Sequence, residues 1–395
     1  MSGSAPEAGA LRPAAPGDGT ALPDHPGRAE EPPLRPENEA ALAEVMRTTD
    51  RPLIVKGGGT RQLGTPRGRH LETGDLAGIR LYEPGALTLV AGAGTPLAEI
   101  EEILAKEGQR LAFEPPDMSG LLGRNGLSTL GGIVAANASG PRRVQAGAAR
   151  DFILGLRFVD GTGAIIANGG RVMKNVTGYD LSRLLAGSRG RLGVITEVAL
   201  KVLPAPEQVA TLAIEGLDDA AAVAAMAAAL GSPYEVTGAA HWPGKGTFLR
   251  IEGFAASVDY RAGRLVAYLA RFGEVRIEPG VGRWGAIRDV VPFHEVPGDV
   301  WRVSAKATEA PALVARARPA AHLFDWGGGL IWMLVAEGAD LRARLGSFAG
   351  HATRVRGTGG GVANLPPEPP GLAALVRALA AQFDPRGVLA MPEEV

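Results

Sequence analysis

The residues best suited to chemistry in this chain are stretches of bare backbone rather than reactive side chains. Directly after the apolar run PLIV, the stretch KGGGT (56–60) sets Gly57, Gly58 and Gly59 in a row, closed by Thr60 and Arg61. A backbone without Cβ atoms can approach a ligand closely and aim successive N–H groups at an anion such as a phosphate. It can equally close a tight turn, and these residues alone fit both readings. A second stretch, STLGGIVAANASGPRRVQAGAARDFILG (128–155), places Gly131 and Gly132 ahead of a small apolar run, then Gly140, Gly147 and Asp151 before a strand. Close backbone packing and a wall against a large flat ligand both account for it. A third, GSRGRLGVITEV (187–198), spaces glycines at 187, 190 and 193 and runs into Val194 and Ile195. Two familiar phosphate motifs fail on spacing. The G-x-G-x-x-G pattern meets Gln62 when counted from Gly57 and Leu97 when counted from Gly92, and Gly244-Lys245 is followed by Gly246 instead of Ser or Thr.

Side chains offer less. A hydroxy acid could be held by a cation and deprotonated by a base. The candidate cations are Arg302, Arg250, Arg142 and Arg143, each of which could also be a structural or surface arginine. The candidate bases are His25, His70, His241, His294, His322 and His351. None of these stands in metal-ligand spacing, and VPFHEVPG lacks the second His of an H-E-x-x-H site. No single catalytic residue stands out, and no metal site is expected. The absence of Cys excludes disulfides, iron–sulfur ligation, a cysteine nucleophile and a cofactor tethered through sulfur.

The elements that must position these stretches follow from periodicity. PENEAALAEVMRTT (36–49) and PLAEIEEILAKEG (96–108) read as helices, with Pro early and acidic residues in the first turns. Strand patterns appear in PLIVK, LTLVAGA, FILGLRFVD, GAIIANG and GVITEVALKVL, and DGTG (160–163) reads as a hairpin turn. After LPAPEQ (203–208), which reads as a linker, strand-like VATLAIEG, TFLRIEG, EVRIEP, DVWRVSA, LIWMLVAE and ATRVRG are interrupted by helical patterns at 218–230, 257–273, 309–318, 338–346 and 371–382. This order predicts an antiparallel sheet covered by helices. A length of 395 residues predicts two domains. Residues 1–35, rich in Pro, Gly and Ala without apolar periodicity, read as a disordered leader. Apolar content of 46%, charged content of 21% and a net charge of −1 describe a globular protein without a basic nucleic-acid surface. No apolar run reaches the roughly 18 residues that would signal a transmembrane helix.

Taken in order, IVKGGGTRQLG, STLGGIVAANASG, MKNVTGYDLSRLLAGSRGRLGVITEV and the closing FDPRGVL resemble the FAD-binding flavoproteins of the vanillyl-alcohol oxidase type. FEPPD, GPRRVQAGAARDFILG, VMKNVTGYD, DVWRVS and DWGGGLIWM are similar in particular to the FAD-binding subunit of bacterial glycolate oxidase, and the likeness spans residues 35–390. The resemblance implies an α+β fold. A two-part FAD-binding domain of the vanillyl-alcohol oxidase (PCMH) type would cover 36–206, and an antiparallel sheet domain covered by helices, a cap, would cover 207–395. It further implies that the main chain of Gly57, Gly58, Gly59, Thr60 and Arg61 wraps the FAD diphosphate. Pro115 (with Pro116), Gly131, Gly132 and Gly140 would line the flavin and ribityl stretch, and Gly147 and Asp151 would complete that wall. Val194 and Ile195 would lie in the strand whose backbone meets the adenine or the flavin edge. With neither His nor Cys in the glycine loop, FAD is expected to be held non-covalently.

Two positions depart from the family's pattern. Arg189 and Arg191 stand where GSEGTLG has Glu and Thr, and Ala390 stands where an Asn is usual. The function implied is that of a FAD-binding subunit of a glycolate oxidase or dehydrogenase complex. It would support oxidation of glycolate, a 2-hydroxy acid, to glyoxylate, with electrons passed through flavin to partner subunits. Those partners would be a larger FAD-containing dehydrogenase subunit and an iron–sulfur subunit, with no nucleic acid and no transmembrane segment. The location implied is cytoplasmic, peripheral at the inner face of the membrane through the complex. Two other readings stay open: a stand-alone FAD-linked oxidase of another alcohol or D-2-hydroxy acid, and a structural subunit that has lost flavin.

Overall fold

In the computed structural model, which describes residues 31–64, 66–171 and 178–390, most of the β-branched runs become strands. Most of the leader and the first six residues of VMKNVTGYD, residues 172–177, lie outside the described residues. The first part of the chain contributes β1 (Leu53–Lys56), β2 (Arg69–Glu72), β3 (Ile79–Glu83), β4 (Thr88–Gly92), β5 (Gln109–Arg110), β6 (Ile153–Val159), β7 (Ile165–Gly169), β8 (Val194–Lys201) and β9 (Leu203–Pro204). Strands β1 and β2 pair in parallel, β3-β4-β8-β6-β7 form an antiparallel sheet, and β5 pairs with β9. The turn DGTG does join β6 to β7: Asp160 Oδ1 accepts the N–H groups of Thr162 and Ala164, both at 2.9 Å.

The second part contributes β10 (Gln208–Ile214), β11 (Gly238–Trp242), β12 (Gly246–Gly253), β13 (Val275–Pro279), β14 (Asp299–Ala305), β15 (Ala321–Asp325), β16 (Leu330–Val335) and β17 (Gly350–Arg356). They form one antiparallel sheet in the order β13-β10-β12-β11-β15-β16-β14-β17. Helices Asp219–Leu230, Ala255–Leu269 and Ala310–Ala317 cover one face, packing Met226, Leu265 and Leu313 against Trp301, Val303, Ile331 and Met333. Strands alternate sides with a period of two, so the residues between these face the opposite way. On β14 that sets Arg302 and Ser304 against Trp301 and Val303, and on β16 it sets Leu330 and Trp332 against Ile331 and Met333.

Local chemistry explains the helices. Asn38 caps Glu39–Thr48 by accepting the Ala41 N–H at 2.9 Å, and Asp218 caps the Ala-rich helix by accepting the Ala221 N–H at 2.8 Å. Leu97, Ile100 and Leu104 form the buried stripe of Leu97–Lys106. Strands β2, β3, β11 and β15 were not legible, because polar, half-exposed or Ala-rich residues interrupt their alternation.

The end of the described chain returns to its beginning. Asp384 accepts the N–H groups of Val388 and Leu389 at 2.9 and 2.8 Å, and Leu389 bridges to Leu53 in β1. Arg386 donates to the carbonyls of Met46, Arg47 and Gly161, closing the C-terminal turn of the first helix.

Residues from Pro33 onward form one compact unit, and a charge network ties β12 of the eight-stranded sheet to β5 and to loops of the first part. Arg250 of β12 forks onto Glu114, with both N–H···O distances 2.8 Å. Glu252 of the same strand receives Arg110 of β5 at 2.9 Å and also the Arg142 guanidinium. The Arg142 N–H donates to Glu114 at 2.9 Å, and the Arg250 guanidinium lies 4.7 Å from the Trp284 ring centroid. Burial pushes the Glu114 carboxyl up, but Arg250 and Arg142 outweigh it and hold it below its ordinary value. Removing one member leaves buried charge uncompensated, which costs about 3–5 kcal/mol. Glu252→Ala is therefore expected to lower the unfolding free energy in urea by about that amount. A loss below roughly 1 kcal/mol, the value of an exposed pair, would contradict this account.

Candidate functional site

The face of β14, β16 and β17 turned away from the helices forms one wall of a cavity of about 1870 Å³. Arg302, Ser304, Leu330, Trp332, His351 and Thr353 line that wall, with Arg302 opposite Trp332 and Thr353, and Ser304 opposite Leu330 and His351. Segments of the first part close the other side: Ala136–Gly140, Leu184–Leu192 and, at one end, Arg61–Gly64. Such a volume exceeds the roughly 300–1,000 Å³ of ordinary small-molecule pockets and suits an extended ligand.

The glycine triplet reaches the cavity through Arg61. It packs against residues 126–129 so closely that a Cβ on Gly57 would stand 2.3 Å from Thr129 Oγ1, and one on Gly58 would stand 1.5 Å from the Leu127 carbonyl oxygen. Gly59 adopts a φ of +72°, in the left-handed region. Arg124 ties the loop down by donating to the carbonyls of Gly59 and Gln62 at 2.9 and 3.1 Å. The Arg61 guanidinium donates to the Pro116 carbonyl and, at 3.1 Å, to Ser128 Oγ, and burial lowers its pKa to about 10. These contacts hold carbonyls and side chains but not the loop's donors. Among the described residues, the main-chain N–H groups of Gly57, Gly58, Gly59, Thr60 and Arg61 find no acceptor. Five successive half-buried amides without partners are the requirement for holding an anion by main chain alone.

The remaining predicted positions separate. Gly140 lines the cavity, and its carbonyl accepts the Trp326 Nε1–H at 3.0 Å. Pro115 is buried beside Pro116, which does line it. The amides of Gly131 and Gly132 are already used, by the Ala93 carbonyl at 2.7 Å and by Thr129 Oγ1 at 3.4 Å, as the short helix Leu130–Ala135 begins. Gly147, at φ +99°, and Asp151 form a turn behind the cavity wall, where Asp151 Oδ2 accepts the Ala148 N–H at 2.9 Å. Val194 and Ile195 send their side chains into two cores and pair with Val159 and Phe158 of β6.

The candidate cations divide the same way. Arg250 and Arg142 are consumed by the buried network, whereas Arg302 and Arg143 line the cavity. Of the histidines, His241 and His322 converge on Asp219, His294 bonds the Asp289 carbonyl at 2.8 Å, His70 lies on β2, and His25 falls outside the described residues. His351 alone among the described histidines borders the cavity, and burial together with Arg302 and Arg143 lowers its pKa.

Two residues were missed. Trp326 sits at a φ of +53° between the Arg143 and Arg302 guanidiniums, 4.7 and 5.1 Å from its ring centroid. Asp325 is buried beside it, and burial raises its carboxyl to about 7. The available signal was WGGG after a strand, a turn in which backbone freedom lets a large ring enter a cavity.

Comparisons with known proteins fit this geometry. A family model described as an FAD binding domain matches residues 33–168. Glycolate oxidase subunit GlcE of Escherichia coli (strain K12) is 36% identical over 85% of this chain and 91% of its own length. Glycolate oxidase subunit GlcD of Bacillus subtilis (strain 168) is 34% identical over 48% of this chain and 40% of its own. In fold, the chain is similar to an alkyldihydroxyacetonephosphate synthase structure (TM-score 0.68, 17% identity, 90% of this chain and 75% of the other). It is also similar to a chitooligosaccharide oxidase (TM-score 0.61, 16% identity, 91% and 90%).

The raised Asp325 carboxyl has a measurable sign. The folded chain holds that proton more tightly than the unfolded chain, so stability is lost as pH rises from about 4, the ordinary carboxylate range, through about 7. Asp325→Asn keeps an oxygen for the Trp326 N–H and is expected to flatten this decline, raising Tm at pH 8 more than at pH 5. Equal shifts at both pH values would refute a buried, proton-holding Asp325.

Proposed function

Because the chain belongs to the family of glycolate oxidase subunit GlcE, we propose that it is the FAD-binding subunit of a multi-subunit glycolate oxidase. In this reading it binds FAD non-covalently and supports the oxidation of a small 2-hydroxy acid, with glycolate going to glyoxylate. FAD, when bound, supplies the two-electron acceptor for converting a CH–OH group to a carbonyl. The observation that carries the reading is the run of unpartnered amides at 57–61, whose last residue, Arg61, lines a cavity of about 1870 Å³.

The chain's own residues divide the work. The amides of 57–61 would hold the diphosphate without a flexible ammonium group. Arg124 and Arg61 would hold the loop in place for that contact. The segment around Gly140, pinned by Trp326, and the apolar Leu330 and Trp332 would exclude water from the cavity's inner wall. Gly131, Gly132, Gly147 and Asp151 support that wall from behind rather than offering it free donors. Electrons would leave through a larger FAD-containing subunit of the GlcD kind and an iron–sulfur subunit, since this chain has no Cys to ligate a cluster. Among the described residues no helix is long and apolar enough to cross a membrane, so attachment at the inner face would come through the complex.

The purified chain is expected to carry an equimolar amount of FAD that acid precipitation releases into the supernatant. Flavin remaining with the pellet would refute the non-covalent mode, and a chain that stays colourless after incubation with excess FAD would refute the cofactor assignment. Bleaching of the flavin by glycolate only when a GlcD-type subunit is added supports the complex, whereas bleaching of the isolated chain favours a stand-alone oxidase.

A further inference from the structure

We infer that the cavity holds a second anion site, formed by Arg302 and Arg143 beside Trp326 with Arg189 lining the same cavity and separate from the amides of 57–61, that binds a small carboxylate on this chain itself. Only the choice of a 2-hydroxy carboxylate as the natural occupant rests on the function proposed above. The site itself rests on a contrast within one cavity. Arg61, Arg150, Arg191, Arg288 and Arg342 also line it and each has a partner, Arg150 having Asp151 at 4.0 Å, while Arg377 on the rim is exposed to solvent and needs none. Arg61 has Ser128, Arg191 has Glu368 at 3.6 Å, Arg288 has Asp289 at 2.8 Å, and Arg342 has the carbonyls of Ala352, Ala363 and Asn364. The guanidiniums of Arg302, Arg143 and Arg189 make no hydrogen bond or ion pair with any described residue. Burial first, and then the charges of Arg143 and Arg189, lower the Arg302 pKa to about 10. Like charges facing one part-buried cavity without an ion-pair partner are costly, and an anion between them removes that cost.

The geometry favours a planar, bidentate anion. The Arg143 and Arg302 guanidiniums stand 4.7 and 5.1 Å from the Trp326 ring centroid, the ring is held by its Nε1–H bond to Gly140, and the Trp326 main-chain N–H is held by Asp325 Oδ1 at 2.7 Å. Guanidiniums placed beside a ring and without an ion-pair partner have N–H donors to offer a carboxylate fork. Asp325 makes no ion pair with Arg302 and offsets its charge only in part, because burial favours the protonated carboxyl. Ser304, next but one to Arg302 on the same face of β14, and His351, its cross-strand partner, add a hydroxyl and an imidazole beside the site. A short hydroxy carboxylate matches that set: a fork for its carboxylate and neutral hydrogen-bonding groups for its hydroxyl.

The test titrates the full chain with oxalate, a small carboxylate that flavin does not oxidise, by calorimetry, in preparations with and without added FAD. Flavin content and Tm are measured on every sample. The wild-type chain is expected to bind oxalate, and Arg302→Gln to weaken it about 30-fold or more, with Arg302→Lys between the two. Flavin content should be unchanged, and Tm without oxalate should not fall, because the substitution removes an unpartnered charge. Undiminished oxalate binding in Arg302→Gln overturns the site. So does loss of FAD from that variant with oxalate competing against FAD, which would assign these cations to the dinucleotide phosphates. If Arg302→Gln fails to fold, Arg143→Gln gives the same readouts. A chain that takes up no FAD but still binds oxalate through Arg302 would keep this site while sinking the cofactor assignment.

Discussion

Five charges clustered where the eight-stranded sheet meets the first part of the chain are the constraint on which the rest of the molecule depends. Glu114 and Glu252 cannot be ionised in that setting without Arg110, Arg142 and Arg250, and the three guanidiniums cannot be buried without the two carboxylates. The network is directional, since the fork of Arg250 onto Glu114 fixes both distance and rotation in a way that apolar packing does not. It also joins residues immediately next to the cavity. Glu114 precedes Pro115 and Pro116, and Arg142 precedes Arg143. The ion network therefore sets where the first part's wall stands relative to the second part's sheet, and so sets the width of the space between them.

Arginine does most of the positioning in this chain, in two distinct modes. Arg124, Arg342, Arg354 and Arg356 gather loop carbonyls that no strand or helix satisfies, a task the five-donor guanidinium performs better than lysine. Arg302, Arg143 and Arg189 are left with their donors open. Against that background the amides at 57–61 and the Arg302 guanidinium stand out, because no described residue accepts from them.

Much of this fold was legible in the sequence because its signals are local. Caps at Asn38 and Asp218, the 3.6-residue stripe of Leu97, Ile100 and Leu104, and the turn at Asp160 each act within a few residues. The glycine loop was legible as a candidate for the same reason. The fates of the arginines were not. Arg250 meets Glu114 from 136 positions away and Arg142 meets Glu252 from 110, and no local pattern distinguishes them from Arg302. Alternation along β14 places Arg302 opposite Trp301, but only the register with β16 and β17 shows which face is the cavity. Gly131 and Gly132 looked like a second cradle because small residues serve a helix start and a ligand wall equally well. Their amides are spent on the former.

The closure of the chain's late residues onto its early ones has a consequence for biosynthesis. Strand β1 delivers the glycine loop, and it is edged on one side by β2 and on the other by Val388, Leu389 and Ala390; Arg386 seals the preceding helix from about 340 positions downstream. A nascent chain emerging from the ribosome can pair β1 with β2 early, but it lacks the other edge until nearly everything else has been translated. On the proposed assignment of the loop, nucleotide loading waits for residues 388–390, and a chain cut short before residue 384 would present the loop on a half-supported strand.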